Sequence, residues 1–168
     1  MADRAAGSVA SCMAAEEHIL PLRVYYEDTD TTGAVYHANY LRYAERARTE
    51  MLRGLDTDHI GLLAEHGIHF VVRRCCADFR RPARLDDRLE VRTRVAEIRR
   101  ASMRIEQVVR RDGEDLVRLE VRLACVSRDG RPARVPPRLR EKFTRLCQNQ
   151  AARPTSGRDR SAPSQKRS

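Results

Sequence analysis

Three stretches in the second half of the chain alternate between apolar and polar residues with a period of two. Leu89, Val91, Thr93 and Val95 interleave with Glu90, Arg92, Arg94 and Ala96. Met103, Ile105, Gln107 and Val109 interleave with Arg104, Glu106 and Arg110, and Val117, Leu119, Val121, Leu123 and Cys125 interleave with Arg118, Glu120, Arg122 and Ala124. Successive side chains of a strand point to opposite faces, so each stretch predicts a strand with one apolar face. Together they predict an antiparallel sheet covered on a single side. Residues 68–80 read as another long strand, ended by Pro82. Residues 20–27 read as a first strand that stops at Asp-Thr-Asp-Thr-Thr-Gly, a run of turn-forming residues. Arg-Asp-Gly at 111–113 and again at 128–130 supplies turns separating strands.

Between the first strand and the rest, the period becomes helical. From Asn39, a good N-cap residue, Tyr40, Tyr43, Ala44, Ala47 and Met51 fall on one stripe. Arg42, Glu45, Arg46, Arg48 and Glu50 occupy the remaining surface, and Gly54 fits the stop. A second, short helix is predicted over 58–65, closed by Gly67, and a last one over 138–147 after Pro136-Pro137. One long helix followed by several alternating strands predicts an α+β domain in which the helical stripe covers the apolar face of the sheet. Residues 1–18, rich in Ala and Ser, are expected to be a flexible leader, 19–147 the folded domain, and 148–168 a disordered basic tail.

Charge alters this picture little. The net charge is +9, and all but two of the 33 basic residues are arginine. A substantial part of the excess lies beyond residue 147. The remainder is mild for a nucleic-acid binder and no reading motif is present, so no nucleic-acid partner is expected; the charge does suit phosphate-bearing ligands. No apolar run is long enough to span a bilayer, and the N-terminus lacks the apolar middle of a signal peptide, so a cytoplasmic location is expected. Five cysteines without CxxC spacing predict reduced thiols, with the adjacent Cys75 and Cys76 on opposite strand faces. His59, His66 and His69 lack metal-ligand company, so neither metal nor cofactor is expected.

Candidate chemistry concentrates in YYEDTDTTGAVYHANYLRYAERART, residues 25–49. Two acids, a Thr/Gly turn and a histidine stand directly ahead of the long helix. A helix N-terminus exposes unpaired N–H groups and a partial positive charge, which suits a developing oxyanion, and a carboxylate beside it supplies the other half of a hydrolytic site. The residues alone leave alternatives open. Asp28 and Asp30 fit turn acids, and Asp28-Thr-Asp-Thr-Thr32 also fits the D-x-D-x-T nucleophile loop of haloacid-dehalogenase-type phosphatases. That chemistry needs a preceding hydrophobic parallel strand and a lysine, and the only lysines are Lys142 and Lys166.

The combination D-T-D, G-x-V-Y-H-A-N-Y, E-R-A-R-T-E and P-A-R-L-D-D, in that order over residues 20–146, resembles the YbgC-like branch of the 4-hydroxybenzoyl-CoA thioesterase family. The resemblance implies a hot-dog fold, a bent antiparallel sheet wrapped around a long helix, and subunits paired into dimers or tetramers. It implies acyl-CoA as substrate and hydrolysis of its thioester. By the same resemblance Asp30 is the catalytic carboxylate, acting as general base or as nucleophile. His37 offers the backbone N–H that polarises the carbonyl, Tyr26 takes part beside Asp30, and Asp28 is structural. Acyl carrier protein as a partner and an association with the Tol-Pal envelope system are further implications. Arg73, Arg74, Arg80, Arg81 and Arg84 are candidates for the coenzyme A phosphates, since guanidinium groups bind phosphate bidentately. The non-enzymatic alternative is a module on the same fold that binds acyl-CoA or acyl carrier protein without cleaving anything.

Overall fold

A computed structural model of the chain describes residues 12–14 and 17–151. Its strands are β1 (Cys12–Ala14), β2 (Glu17–Arg23), β3 (Ile68–Phe79), β4 (Arg88–Ile98), β5 (Ser102–Arg111) and β6 (Glu114–Ser127). Its helices are α1 (His37–Arg53), α2 (His59–His66) and α3 (Pro137–Ala151). The strands form one sheet in the order β1-β2-β4-β5-β6-β3, with every neighbouring pair antiparallel. Helix α1 lies against β2, β4 and β5, which is the hot-dog arrangement.

The period-two pattern explains the sheet. Leu89, Val91, Val95, Met103, Ile105, Val109, Val117, Leu119, Val121, Leu123 and Cys125 are all buried on the helix-facing side. The α1 stripe of Tyr40, Tyr43, Ala44, Ala47 and Met51 is buried against them. The outer face is a ladder of ion pairs. Arg104 reaches both Glu106 and Glu120, Arg94 reaches Glu106, and Arg122 reaches Glu120 at 3.1 Å. Three polar residues of the sheet are buried, His18, Thr93 and Gln107, the last two each 1% exposed. Gln107 Nε2 donates to the Ala44 carbonyl and to Thr93 Oγ1, both at 2.9 Å, while Gln107 Oε1 accepts from Arg48 Nη1 at 2.7 Å. A glutamine on the sheet thus fixes where α1 crosses it.

The turns follow their chemistry. Asp112 (φ 50°) and Gly113 (φ 84°) form a two-residue hairpin turn between Arg111 and Glu114, as backbone with both central φ positive requires. Asp58 caps α2 by accepting from Gly61 N at 2.6 Å, and Gly67 closes that helix with φ 62°.

Several boundaries differ from expectation. The first strand ends at Arg23, because Asp28 bends the chain: its carboxylate accepts from Tyr25 N at 2.9 Å and its N–H donates to Tyr25 O at 3.0 Å. Residues 24–27 therefore leave the sheet, and Tyr26–Asp28 form a 3-10 turn. The expected leader contains β1, which pairs with β2, and overlaps β2 itself, which begins at Glu17 and buries His18, while residues 1–11 and 15–16 lie outside the described residues. Helix α1 starts at His37 with Tyr36 at its N-cap, and Asn39 is already inside the first turn. The Arg-Asp-Gly at 128–130 does not separate two strands. It folds 131–132 back onto the end of β6, with Val126 bridged to Pro132. Helix α3 continues to Ala151, past the expected start of the tail at 148, and residues 152–168 lie outside the described residues.

Replacing Gln107 with leucine strips partners from Arg48, Thr93 and Ala44 beneath α1. The expected cost is about 2–3 kcal/mol, read as a lowered midpoint in urea unfolding with an unchanged slope.

Candidate active site

The segment from Tyr25 to His37 is a chain of local closures. Thr29 N–H and Oγ1 both donate to Tyr26 O, at 3.2 and 2.9 Å. Thr29 bridges Val35, and Asp30 N–H donates to Ala34 O at 2.9 Å, so residues 29–35 fold into a small hairpin around Thr31–Gly33. Gly33 sits at φ 73°, the backbone conformation that favours glycine. A third segment joins this hairpin: Val35 N–H donates to Ala83 O at 2.9 Å, and Ala34 bridges Arg84. Tyr40 Oη accepts from Ala83 N at 2.7 Å, so α1 and the 80–87 loop hold each other.

Asp28 ties the hairpin to the helix. Its carbonyl accepts from Tyr36 N at 2.9 Å and from Asn39 Nδ2 at 2.8 Å. Asp28 and Asn39 are 7% and 5% exposed. Asp28 is therefore a structural acid, placed to anchor the start of α1 rather than to meet substrate. Burial, together with the Asp28 carboxylate, pushes the phenol of Tyr43 up, so that hydroxyl stays neutral beneath the site.

Asp30 has the opposite environment. Its carboxylate is solvent-exposed, and Oδ1 accepts from Thr32 Oγ1 at 2.6 Å and Thr32 N at 2.8 Å. The Thr32 hydroxyl and then the Thr32 N–H hold this carboxyl below the usual aspartate range. Hydrogen bonds to the charged form favour it, so Asp30 is ionised at neutral pH with Oδ2 turned to neither donor. His37 opens α1, exposed, its ring 4.4 Å from that of Tyr36 and 6.3 Å from Phe79 at the end of β3. The His37 N–H is one of the first-turn donors of α1, and no acceptor meets it among the described residues.

The structure thus brings Asp30 and the start of α1 into one hydrogen-bonded cluster, with two residues of the hairpin strand between Ala34 and His37. Tyr26 belongs to the same segment, but its ring is 83% exposed and makes no hydrogen bond to Asp30. Sequence reasoning missed Thr32, Asn39 and Phe79. Thr32 was legible as the hydroxyl two residues after an Asp, a spacing that favours local side-chain bonds. Phe79 had no local signal, since a ring at the far end of another strand reaches His37 only through the sheet.

Residues 24–143 match the family profile described as the Thioesterase-like superfamily. The chain belongs to that superfamily. Among its relatives, the acyl-CoA thioesterase YbgC of Haemophilus influenzae is 42% identical over 127 residues, covering 75% of this chain and 93% of the relative. The acyl-CoA thioester hydrolase YbgC of Escherichia coli O6:H1 is 44% identical over 119 residues, covering 70% and 85%. The crystal structure of a probable thioesterase from Bartonella henselae superposes with a TM-score of 0.69 at 36% identity, covering 71% of this chain and 99% of that one.

Within this thioesterase-like domain, no group of three or more His, Cys, Asp or Glu residues is arranged to hold a metal among the described residues. Cys75 and Cys76 are exposed free thiols and Cys125 is a buried one. Among the described residues no helix is long and apolar enough to cross a membrane.

Replacing Thr32 with alanine removes the shorter of the two bonds to Asp30. The Asp30 carboxyl is then expected to titrate at higher pH than in wild type, measured by carbon-detected NMR of the side chain. An unchanged midpoint would show that Thr32 does not set its ionisation.

Proposed function

We propose that this chain hydrolyses acyl-CoA thioesters to a free acid and coenzyme A, with Asp30 as the reacting carboxylate. The observation that carries the reading is the ionised, exposed Asp30 held beside the open N-terminus of α1, in a chain whose curated relatives are acyl-CoA thioesterases. A thioester is already an activated electrophile with a good leaving group. The protein has to deliver an oxygen nucleophile and stabilise the oxyanion. In one route Asp30 takes a proton from water, whose oxygen attacks the carbonyl carbon. In the other, a carboxylate oxygen attacks, forming a mixed anhydride that water later opens. In both, the carbon–sulfur bond breaks and the thiolate leaves to be protonated. The N–H of His37, backed by the partial positive charge of a 17-residue helix, faces the developing oxyanion. The His37 imidazole orients substrate or water, and Tyr26 hydrogen-bonds beside Asp30 when the acyl group is seated. This chemistry calls for neither metal nor cofactor.

A homo-oligomer completes the site in this reading. Strand β3 is a sheet edge of 12 residues, exposed from Val71 to Phe79. Val72, Cys75, Ala77 and Phe79 face the same way as their buried partners Leu123, Val121, Leu119 and Val117 on β6. Helix α1 meets the end of that strip, where the Phe79 ring lies against those of His37 and Tyr40, yet Val72 and Phe79 remain 51% and 49% exposed. A long apolar edge ending beside His37 is a surface for a second copy. Following the family resemblance, we place the protein in the cytoplasm, associated with the Tol-Pal system, with acyl carrier protein as a partner.

Replacing Asp30 with asparagine keeps the turn's shape and removes the charge. It is expected to lower thiol release from acyl-CoA by about 10²–10⁴-fold with little change in thermal stability. Wild-type protein that binds acyl-CoA and releases no thiol would establish the non-catalytic binding module instead. Light scattering on the purified chain is expected to return the mass of a dimer or tetramer, and a monomer at micromolar concentration would remove the second copy from the site.

A further inference from the structure

The small three-stranded arrangement beside α1 has a register. Thr29 opposes Val35, so one step along Asp30 opposes Ala34, and Ala34 in turn opposes Arg84. Residues directly opposite one another on adjacent antiparallel strands project to the same face. Asp30, Ala34 and Arg84 therefore form one row, with the carboxylate at one end, the guanidinium at the other and a methyl group between. At the usual interstrand spacing the two outer backbones are about 10 Å apart.

Arg84 differs from most arginines of its neighbourhood; Arg88 is also exposed and without an ion pair among the described residues, but it opens β4 and lies outside the row. Arg80 is paired with Asp78 at 2.8 Å, Arg81 with Glu114, and Arg111 with Asp87 at 2.6 Å. The Arg84 backbone is fixed, since its N–H donates to Asp87 Oδ2 at 2.8 Å, while its exposed guanidinium meets no carboxylate among the described residues. Arg73 and Arg74 are also without ion pairs. They sit at the bulge in mid-β3, whereas it is the opposite end of that strand, at Phe79, that reaches His37. Among the described residues, Arg84 alone combines an open guanidinium, a rigid backbone and a place in the row of Asp30.

We propose that Arg84 is a substrate-binding residue that holds a phosphate of the coenzyme A carrier while the thioester lies at Asp30, the pantetheine arm crossing the shallow row at Ala34. The assignment rests on the thioesterase reading of the site and names the part of the substrate recognised. A guanidinium on a three-methylene stem suits this task, since its fork of donors matches phosphate oxygens and its charge does not titrate. Ala34 matters to the geometry because a larger side chain there would stand between the two charged ends.

The test compares carriers. Arg84→Gln is expected to raise KM for an acyl-CoA by roughly tenfold or more with kcat nearly unchanged, the mark of lost binding shared by ground and transition states. With the matching acyl-pantetheine, which has no phosphate, the wild-type-to-variant ratio is expected to contract towards unity. A dephospho-CoA thioester locates the contact: persistence of the effect assigns the diphosphate, and its loss assigns the 3′-phosphate. Arg84→Lys should recover part of the affinity. Arg99→Gln, which removes an equal charge from a side chain paired with Glu97, controls for net charge. Calorimetric binding of free coenzyme A, expected to weaken in Arg84→Gln, needs no turnover. A protein that binds coenzyme A through Arg84 but cleaves nothing would retain this inference and lose the thioesterase reading. Equal losses on acyl-CoA and acyl-pantetheine, or coenzyme A binding unaffected by Arg84→Gln, would overturn it.

Discussion

The carbonyl of Asp28 is the joint on which the site depends. It receives the N–H of Tyr36 and the amide of Asn39, both from the start of α1, while the Asp28 carboxylate holds the backbone of Tyr25. The Asp28 carbonyl and the Asn39 amide are buried, and each would cost about 1–3 kcal/mol if left without a partner. Satisfying them together leaves the chain little choice about where the hairpin carrying Asp30 stands relative to the helix N-terminus. The two acids of the D-T-D motif thus divide the work by environment. One is buried and spends both its carboxylate and its carbonyl on architecture. The other is exposed, and its carboxylate accepts from Thr32 within its own turn.

Gln107 plays the corresponding part at the middle of α1. A core built only of Leu, Val and Ile would let a helix slide or rotate on a sheet with modest loss, because apolar packing is weakly directional. One glutamine bonded to Ala44 O, Thr93 and Arg48 adds a directional contact that only one placement of the helix satisfies. The helix axis is then fixed at its N-terminus by Asp28 and Asn39, and along its length by Gln107. Since the electrostatic effect of a helix end falls off within its first turn, this two-point fixation sets where the field of the α1 N-terminus, at His37, falls relative to Asp30.

Much of the fold was legible because β4, β5 and β6 each bury one face. The period-two stretches at 89–96, 103–110 and 117–125 translate directly into β4, β5 and β6, and the Tyr40–Met51 stripe into the buried face of α1. Gln107 was visible as a member of an apolar column, yet its purpose was not, because its partners lie on another strand and on a helix far along the chain. The ends of elements were read less well. Asn39 looks like an N-cap from its composition alone, but its amide is used across the loop by Asp28, so the cap falls to Tyr36 and α1 begins three residues earlier. The first strand looked longer than β2 because Tyr25 and Tyr26 have strand-forming side chains, and the turn that removes them is driven by Asp28, which lies after them. The site showed the same division. Asp30 and His37 carry motif and position in one local segment, whereas Phe79, Ala83 and Arg84 arrive through the sheet and the 80–87 loop.

Arginine content alone says little in a chain where nearly every basic residue is arginine, and the useful quantity is how each one is paired. On the outer face of β4, β5 and β6, glutamates stand between arginines and share them, so like charges on neighbouring strands, such as Arg104 and Arg122, are bridged by Glu120. Directly opposed like charges destabilise a sheet, and these acids offset that repulsion. Around the loop of residues 80–87 the pairing is equally complete for Arg80, Arg81 and Arg111, and it stops at Arg84. An exposed, unpaired guanidinium gains nothing for the fold, because a surface ion pair contributes little even when it is made. Its position is set instead by backbone bonds to Asp87 and the bridge to Ala34, which rigidly present a side chain the core does not need. A scaffold that immobilises the root of a long cation and leaves its head in water has the form of a binding element, and that form is the physical basis of the proposal that Arg84 meets a phosphate of the substrate carrier.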